Sequence, residues 1–148
     1  MRAKSYLSQY LDIRAEIRRL ERVRQELRDD IDSIKSDMTD ERVQSSKQYD
    51  RVAEMIARLV DQTEEISKKT CEAYDKLLEI QSVIDEIEDI KVREVITVRY
   101  TSVNSATGRQ LTWAEISEQL HRSERDLMRL HKEGLRTVYR IINEVEYE

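Results

Sequence analysis

Eleven residues between Val52 and Ile87 constrain the chain more than any other feature. Val52, Ile56, Leu59, Thr63, Ile66, Thr70, Ala73, Leu77, Ile80, Ile84 and Ile87 alternate steps of four and three without a slip. That period belongs to a helix, and a face repeated over five heptads is a seam meant for another helix. At 1.5 Å per residue the seam runs about 52 Å, far longer than the core of a small globule requires. Two threonines and Ala73 leave its middle thin, which reads either as weak packing or as a face for a different partner.

A second seam precedes it. Tyr10, Ile13, Ile17, Leu20, Leu27, Ile31, Ile34 and Met38 keep the same alternation apart from a skip at Arg24, over about 42 Å. The expectation is therefore two long helices at about 5–38 and 47–89, joined by a linker at 39–46. Ser5 is the expected cap of the first, and Ser45 with Gln48 forms an S-x-x-Q capping box for the second. The pair can close as a hairpin within the chain or pair across a homodimer. A two-helix hairpin alone buries little apolar surface, so self-association as a homodimer or higher homo-oligomer is the favoured expectation.

Composition agrees with this and narrows the class. The 148 residues contain no proline and two glycines, leaving little turn vocabulary, so an all-α fold is expected. No apolar run approaches the roughly 20 residues that cross a bilayer, and Met1-Arg2-Ala3-Lys4 has no apolar stretch behind it. With a single cysteine, Cys71, the chain has neither an internal disulfide nor a thiolate zinc set, and a cytoplasmic protein that makes no membrane contact is expected. There is no Gly-rich phosphate loop, no nucleophile and base at useful spacing, and no metal-ligand set, so neither an enzyme nor a cofactor is expected.

The net charge of −5 argues poorly for nucleic acid until its distribution along the chain is considered. Residues 48–90 hold 12 acidic against 5 basic side chains, whereas residues 91–140 hold 10 basic against 6 acidic. Negative charge sits on the second long helix and positive charge on the C-terminal segment. A domain border is accordingly expected at 90, dividing a coiled-coil region 1–90 from a C-terminal unit 91–148.

Within that unit, "VREVITVRY" (92–100) suits a strand by its β-branched content, but an isolated strand has nothing to pair with, so a short helix is expected. "TSVNSATGRQL" (101–111) is a polar, glycine-containing loop. Thr112 and Glu115 form a T-x-x-E capping box for a short helix whose buried face is Trp113, Ile116 and Leu120. Ser123 is a second N-cap, with Asp126 placed to favour the helix dipole, which compresses "LHRS" into a tight turn. Helix, tight turn and longer helix make the outline of a helix-turn-helix. His121 and His131 are read as turn or boundary residues, because no ligand set surrounds them, and Trp113 as a core anchor from its place in the first turn of the short helix.

At 100° per residue the last helix has two faces. Leu127, Leu130, His131, Gly134, Val138 and Ile141 fall within about 100° of one another, and Arg125, Arg129, Lys132, Arg136 and Arg140 lie opposite. A basic stripe pointing away from the core suits the DNA major groove, where arginine bonds guanine edges and lysine or arginine holds phosphates. The plainer alternative is a solvated charged face.

The stretches "VITVRY" and "LTWAEISEQLHRSERDLMRLHKEGLRTV" resemble the region-four helix-turn-helix of bacterial sigma factors, with "LTWAEIS" as support helix and "SERDLMRLHKEGL" as recognition helix. The layout of coiled coil, V-Q-S-S linker and C-terminal unit is similar to small phage and prophage proteins grouped as ArpU/RinA-type late-gene transcription regulators. The resemblance implies double-stranded DNA as partner. Glu124, Arg125 and Arg129 would take the base-reading positions, and Arg99 and Thr112 would approach phosphates, with Arg122, Ser123, Lys132 and Arg136 flanking. Leu127 and Leu130 would join Trp113, Ile116 and Leu120 in the core. Two other functions remain open: a packaging adaptor like a phage small terminase, or a module that docks on RNA polymerase.

Overall fold

The computed structural model describes residues 2–39 and 46–144, which form five helices: α1 (Ala3–Thr39), α2 (Ser46–Asp85), α3 (Ile90–Thr101), α4 (Trp113–Leu120) and α5 (Glu124–Glu144). The fold is all-α, and the two long helices are where the heptads place them. The capping box expected at Ser45 and Gln48 involves Ser45, which lies outside the described residues.

Helix α1 starts two residues earlier than expected. The Arg2 carbonyl accepts the Tyr6 N–H at 3.1 Å, so Ser5 sits inside the first turn and does not cap it. The seam starts earlier too, because Ala3, Tyr6 and Leu7 are buried along with Tyr10, Ile17 and Leu20. These residues continue the three-and-four alternation backward from Tyr10.

Helices α1 and α2 run antiparallel within one chain. Tyr6 feels the charges of Glu79 and Glu86, Glu16 that of Lys69, and the Tyr74 hydroxyl hydrogen-bonds the Glu21 carboxylate at 3.1 Å. The hairpin arrangement, one of the two expected for the seams, is thus the one observed. The thin middle of the α2 seam has a local explanation. Thr63 and Thr70 each donate their hydroxyl to the carbonyl four residues back, Leu59 and Ile66, both at 2.8 Å, so a threonine occupies the seam with no polar group unsatisfied. Thr70 is buried on these terms.

Two compact units result: Met1–Arg14 with Asp75–Glu148, and Ala15–Tyr74. The border expected at 90 corresponds to the corner between α2 and α3, while the compact units divide elsewhere. In the second unit, seam positions Leu27, Ile34, Met38, Val52, Ile56, Leu59 and Ile66 are only half-buried. A layer of two helices covers each seam residue from one side.

The first unit holds the tightly buried core, with Leu7, Ile84, Ile87, Val92, Val95, Ile96, Ile116, Leu127 and Val138 all essentially inaccessible. The "VREVITV" segment is helical, as expected. Asp89 caps α3, its carboxylate accepting the N–H groups of Lys91 at 2.9 Å and Val92 at 3.2 Å. Helix α3 packs on both α4 and α5, and Val92, Val95, Ile96, Val98 and Tyr100 are buried. The buried residues spread over more than half of the circumference of α3, and apolar Ile90 is exposed, which explains why the alternating, β-branched pattern gives no clear helical stripe.

Gly134 sets how closely α5 approaches α3. A Cβ built there would lie 2.5 Å from Ile96 Cγ1 and 2.6 Å from its Cδ1. Only a residue without a side chain permits that crossing.

Candidate nucleic-acid interface

The turn that aims α5 begins with the cap of α4. The Thr112 hydroxyl accepts the Glu115 N–H at 3.3 Å, and the Glu115 carboxylate accepts the Thr112 N–H at 2.9 Å, completing the expected capping box. The other oxygen of Glu115 takes the Asn104 side-chain amide at 3.0 Å, which ties the preceding loop to the start of α4. Helix α4 ends at His121, whose backbone is left-handed at φ 53° and ψ 43°. That reversal lets the N–H groups of His121 and Arg122 both return to the Ser117 carbonyl. Ser123 then caps α5 by accepting the Asp126 N–H at 3.2 Å. The tight turn expected at "LHRS" is therefore built of one C-cap and one N-cap.

Helix α5 presents two distinct faces. Leu127, Leu130, Gly134 and Val138 are buried, whereas Glu124, Arg125, Arg129, Lys132, Arg136 and Arg140 are all exposed. Met128 and Tyr139 are exposed beside them, 41% and 55%, so the basic surface has apolar and aromatic members. Asp126 organises the start of this surface. One carboxylate oxygen accepts Arg129 at 2.8 Å and the other accepts Arg122 at 2.9 Å. The two arginines, Arg129 first, hold the Asp126 carboxyl below the usual carboxylate range. Sequence reasoning credits Asp126 only with a dipole role, although its spacing of four and three to these arginines is the helical signature of such pairs.

The expected core residues lie on the inner sides of α4 and α5. Ile116 is fully buried, while Trp113 and Leu120 are half-buried. Trp113 is nonetheless an anchor. His131 meets its ring edge-on with centroids 4.8 Å apart, and the Arg99 guanidinium lies 4.6 Å from the ring centroid. His131 Nε2 shares a hydrogen bond of 2.7 Å with the Tyr100 hydroxyl. Burial, then the nearby charges of Arg99 and Lys4, lower the His131 pKa to about 4, so the ring is neutral near pH 7.

The surroundings of Trp113 show what Arg99 holds within the protein. Its guanidinium donates to the Leu111 carbonyl and covers Trp113, and its own carbonyl accepts Gln110 Nε2 at 2.9 Å. It closes the loop between α3 and α4 from inside, where an aromatic face and a carbonyl satisfy the cation. Thr112 and Ser123 are exposed at the two helix starts with their hydroxyls engaged in caps, and Arg122 is half-buried on Asp126. The structure thus brings Arg125, Arg129, Lys132 and Arg136 onto one exposed helix face, with Glu124 exposed at the start of α5 on another side of the helix, Arg122 and Ser123 in the turn before it, Thr112 at the start of α4, and Arg99 packed against Trp113.

These features define a small all-α protein in which a helical hairpin carries a helix-turn-helix with a basic outer face. The profile of a family described as "Protein of unknown function (DUF1492)" matches residues 33–139, and the chain belongs to that family. No curated protein and no solved structure matches it.

Proposed function

We propose that the chain is a sequence-specific, DNA-binding transcription regulator of phage or prophage genes, with α5 lying in the major groove. The observation that carries this reading is the division of α5: one face buried in the unit, the other exposing Arg125, Arg129, Lys132, Arg136 and Arg140 directly after a tight, doubly capped turn. That is the geometry by which the second helix of a helix-turn-helix reaches base edges with its N-terminal residues. Glu124, Arg125 and Arg129 are the proposed readers, and Lys132 and Arg136 the proposed phosphate contacts. The regulatory and phage setting rests on the resemblance of "LTWAEISEQLHRSERDLMRLHKEGLRTV" to sigma region four and of the whole layout to ArpU/RinA-type regulators.

Self-association through the hairpin is part of the proposal. Its support is the half-buried seam of the Ala15–Tyr74 unit, where a second hairpin would finish covering side chains that one partner helix leaves open.

The test is selection of bound duplexes from a random-sequence pool by the full-length protein at two salt concentrations. An enriched motif at both salts is the expected result, and a two-fold repeat within it would reflect a symmetric dimer. Retention only at low salt without a motif reduces the contacts to phosphates. No retention at either salt overturns the reading and moves the basic face to an acidic protein partner.

A further inference from the structure

The first turn of α1 lies along α5, and between them runs an open groove with Leu135 and Tyr139 in its lining and four cations around it: Arg2 and Lys4 from the start of α1, Lys132 and Arg136 from α5. Among the described residues, no carboxylate takes part in the lining and none of the four cations has an ion-pair partner. All four are exposed. Two of them, Lys132 and Arg136, also belong to the basic face of α5, so the groove continues that face sideways onto another helix. Like charges gathered from two elements repel one another, and the arrangement is stabilised when a polyanion lies among them.

We infer that this groove is a second DNA contact, in which Arg2 and Lys4 of the hairpin grip the phosphate backbone flanking the bases addressed by α5. The inference rests on the DNA-binding reading and extends it to a helix outside the helix-turn-helix. A duplex backbone fits better than a single anion because the cations extend along the helix: Lys132 and Arg136 are separated by about 6 Å of helix rise. Regularly spaced phosphates can meet such a row one after another. Contacts of this kind hold register and carry no base information. The hairpin then does more than join two copies, because it sets how much of the duplex the domain covers.

The test compares full-length wild type with the double variant Arg2→Gln, Lys4→Gln, measuring affinity against salt for a duplex carrying the enriched motif and for a scrambled one. The expected result is a fall of about 1.8 in the slope of log affinity against log salt, close to 0.9 per lost phosphate contact. Affinity should fall by the same factor for both duplexes, leaving base preference unchanged. Lys4→Arg, which keeps the charge, should retain the wild-type slope. Both side chains are exposed, and an unchanged thermal unfolding midpoint would exclude a folding defect. An unchanged slope in the double variant, with wild type still choosing its motif, overturns the groove and leaves the α5 reading standing. A changed base preference also overturns it, since Arg2 and Lys4 would then act by positioning α5. Absence of any DNA binding by wild type removes both readings together.

Discussion

Asp126 is an acid at the start of a surface proposed to meet a polyanion, and its two arginines explain its presence. A free arginine side chain samples many rotamers, and one held by a carboxylate three residues away samples few. Asp126→Asn releases Arg122 and Arg129 and removes a negative charge. The expected outcome is tighter binding to any duplex at low salt and a smaller ratio between preferred and scrambled sequence, read by competition binding. An unchanged ratio would remove the positioning role. Arg129→Ala is expected to cost on the order of ten- to a hundredfold in specific affinity if the contact is bidentate to guanine. His131 supports a pH prediction. Its pKa in the folded chain, about 4, lies below the ordinary 6.5, so protonation favours the unfolded chain. Its contribution to stability is complete above pH 6.5 and is lost as pH falls toward 4. Unfolding by denaturant at about pH 7 and about pH 5 should show wild type losing more stability on acidification than His131→Gln, and equal losses would count against this assignment.

Among the elements, α3 and α5 depend on each other through Gly134. A methyl group placed there meets Ile96, which is itself fully buried and has nowhere to move. Gly134→Ala gains roughly 1 kcal/mol of helix propensity but overpacks the crossing at a cost of about 1–3 kcal/mol. The expected outcome is a lowered denaturant midpoint, and a double variant with Ile96→Ala should lose less stability than the two single losses added together. A stabilised single variant would show that the crossing is loose. How legible the elements are depends on how local their causes are. The Thr112–Glu115 box, the Ser123 cap and the faces of α5 depend on residues within one or two turns, and all are readable from spacing. The Asp89 cap is equally local but is hidden in an acidic run, where no single carboxylate stands out. Arg99 cannot be read in the same way. Its partners are the Leu111 carbonyl and the Trp113 ring, brought to it only when α4 folds against α3, and the phosphate contact expected of it comes from the resemblance to sigma region four, which carries no information about them. The groove beside α5 is illegible for the same reason, since Arg2 and Lys4 lie about 130 positions from Lys132 and Arg136.

For the whole molecule, the prediction concerns association. If a second hairpin covers the half-buried seam of the Ala15–Tyr74 unit, sedimentation should report a dimer whose thermal midpoint rises with protein concentration. Replacing Ile56 and Leu59 with glutamine should shift it toward monomer while leaving the helix-turn-helix folded. A monomer at all accessible concentrations would restrict the seam to its own hairpin. A long antiparallel pair with a uniform heptad repeat has a weakness of its own, because sliding one helix by seven residues, about 10 Å, restores a similar pattern of apolar contacts. This chain's repeat is not uniform. Thr63, Thr70 and Ala73 are small in the middle of an otherwise bulky row, and the Tyr74 hydroxyl reaches Glu21 only in the observed alignment. A slide in either direction would put the small residues opposite different neighbours and break that bond. The irregularities of the seam are what tell its registers apart.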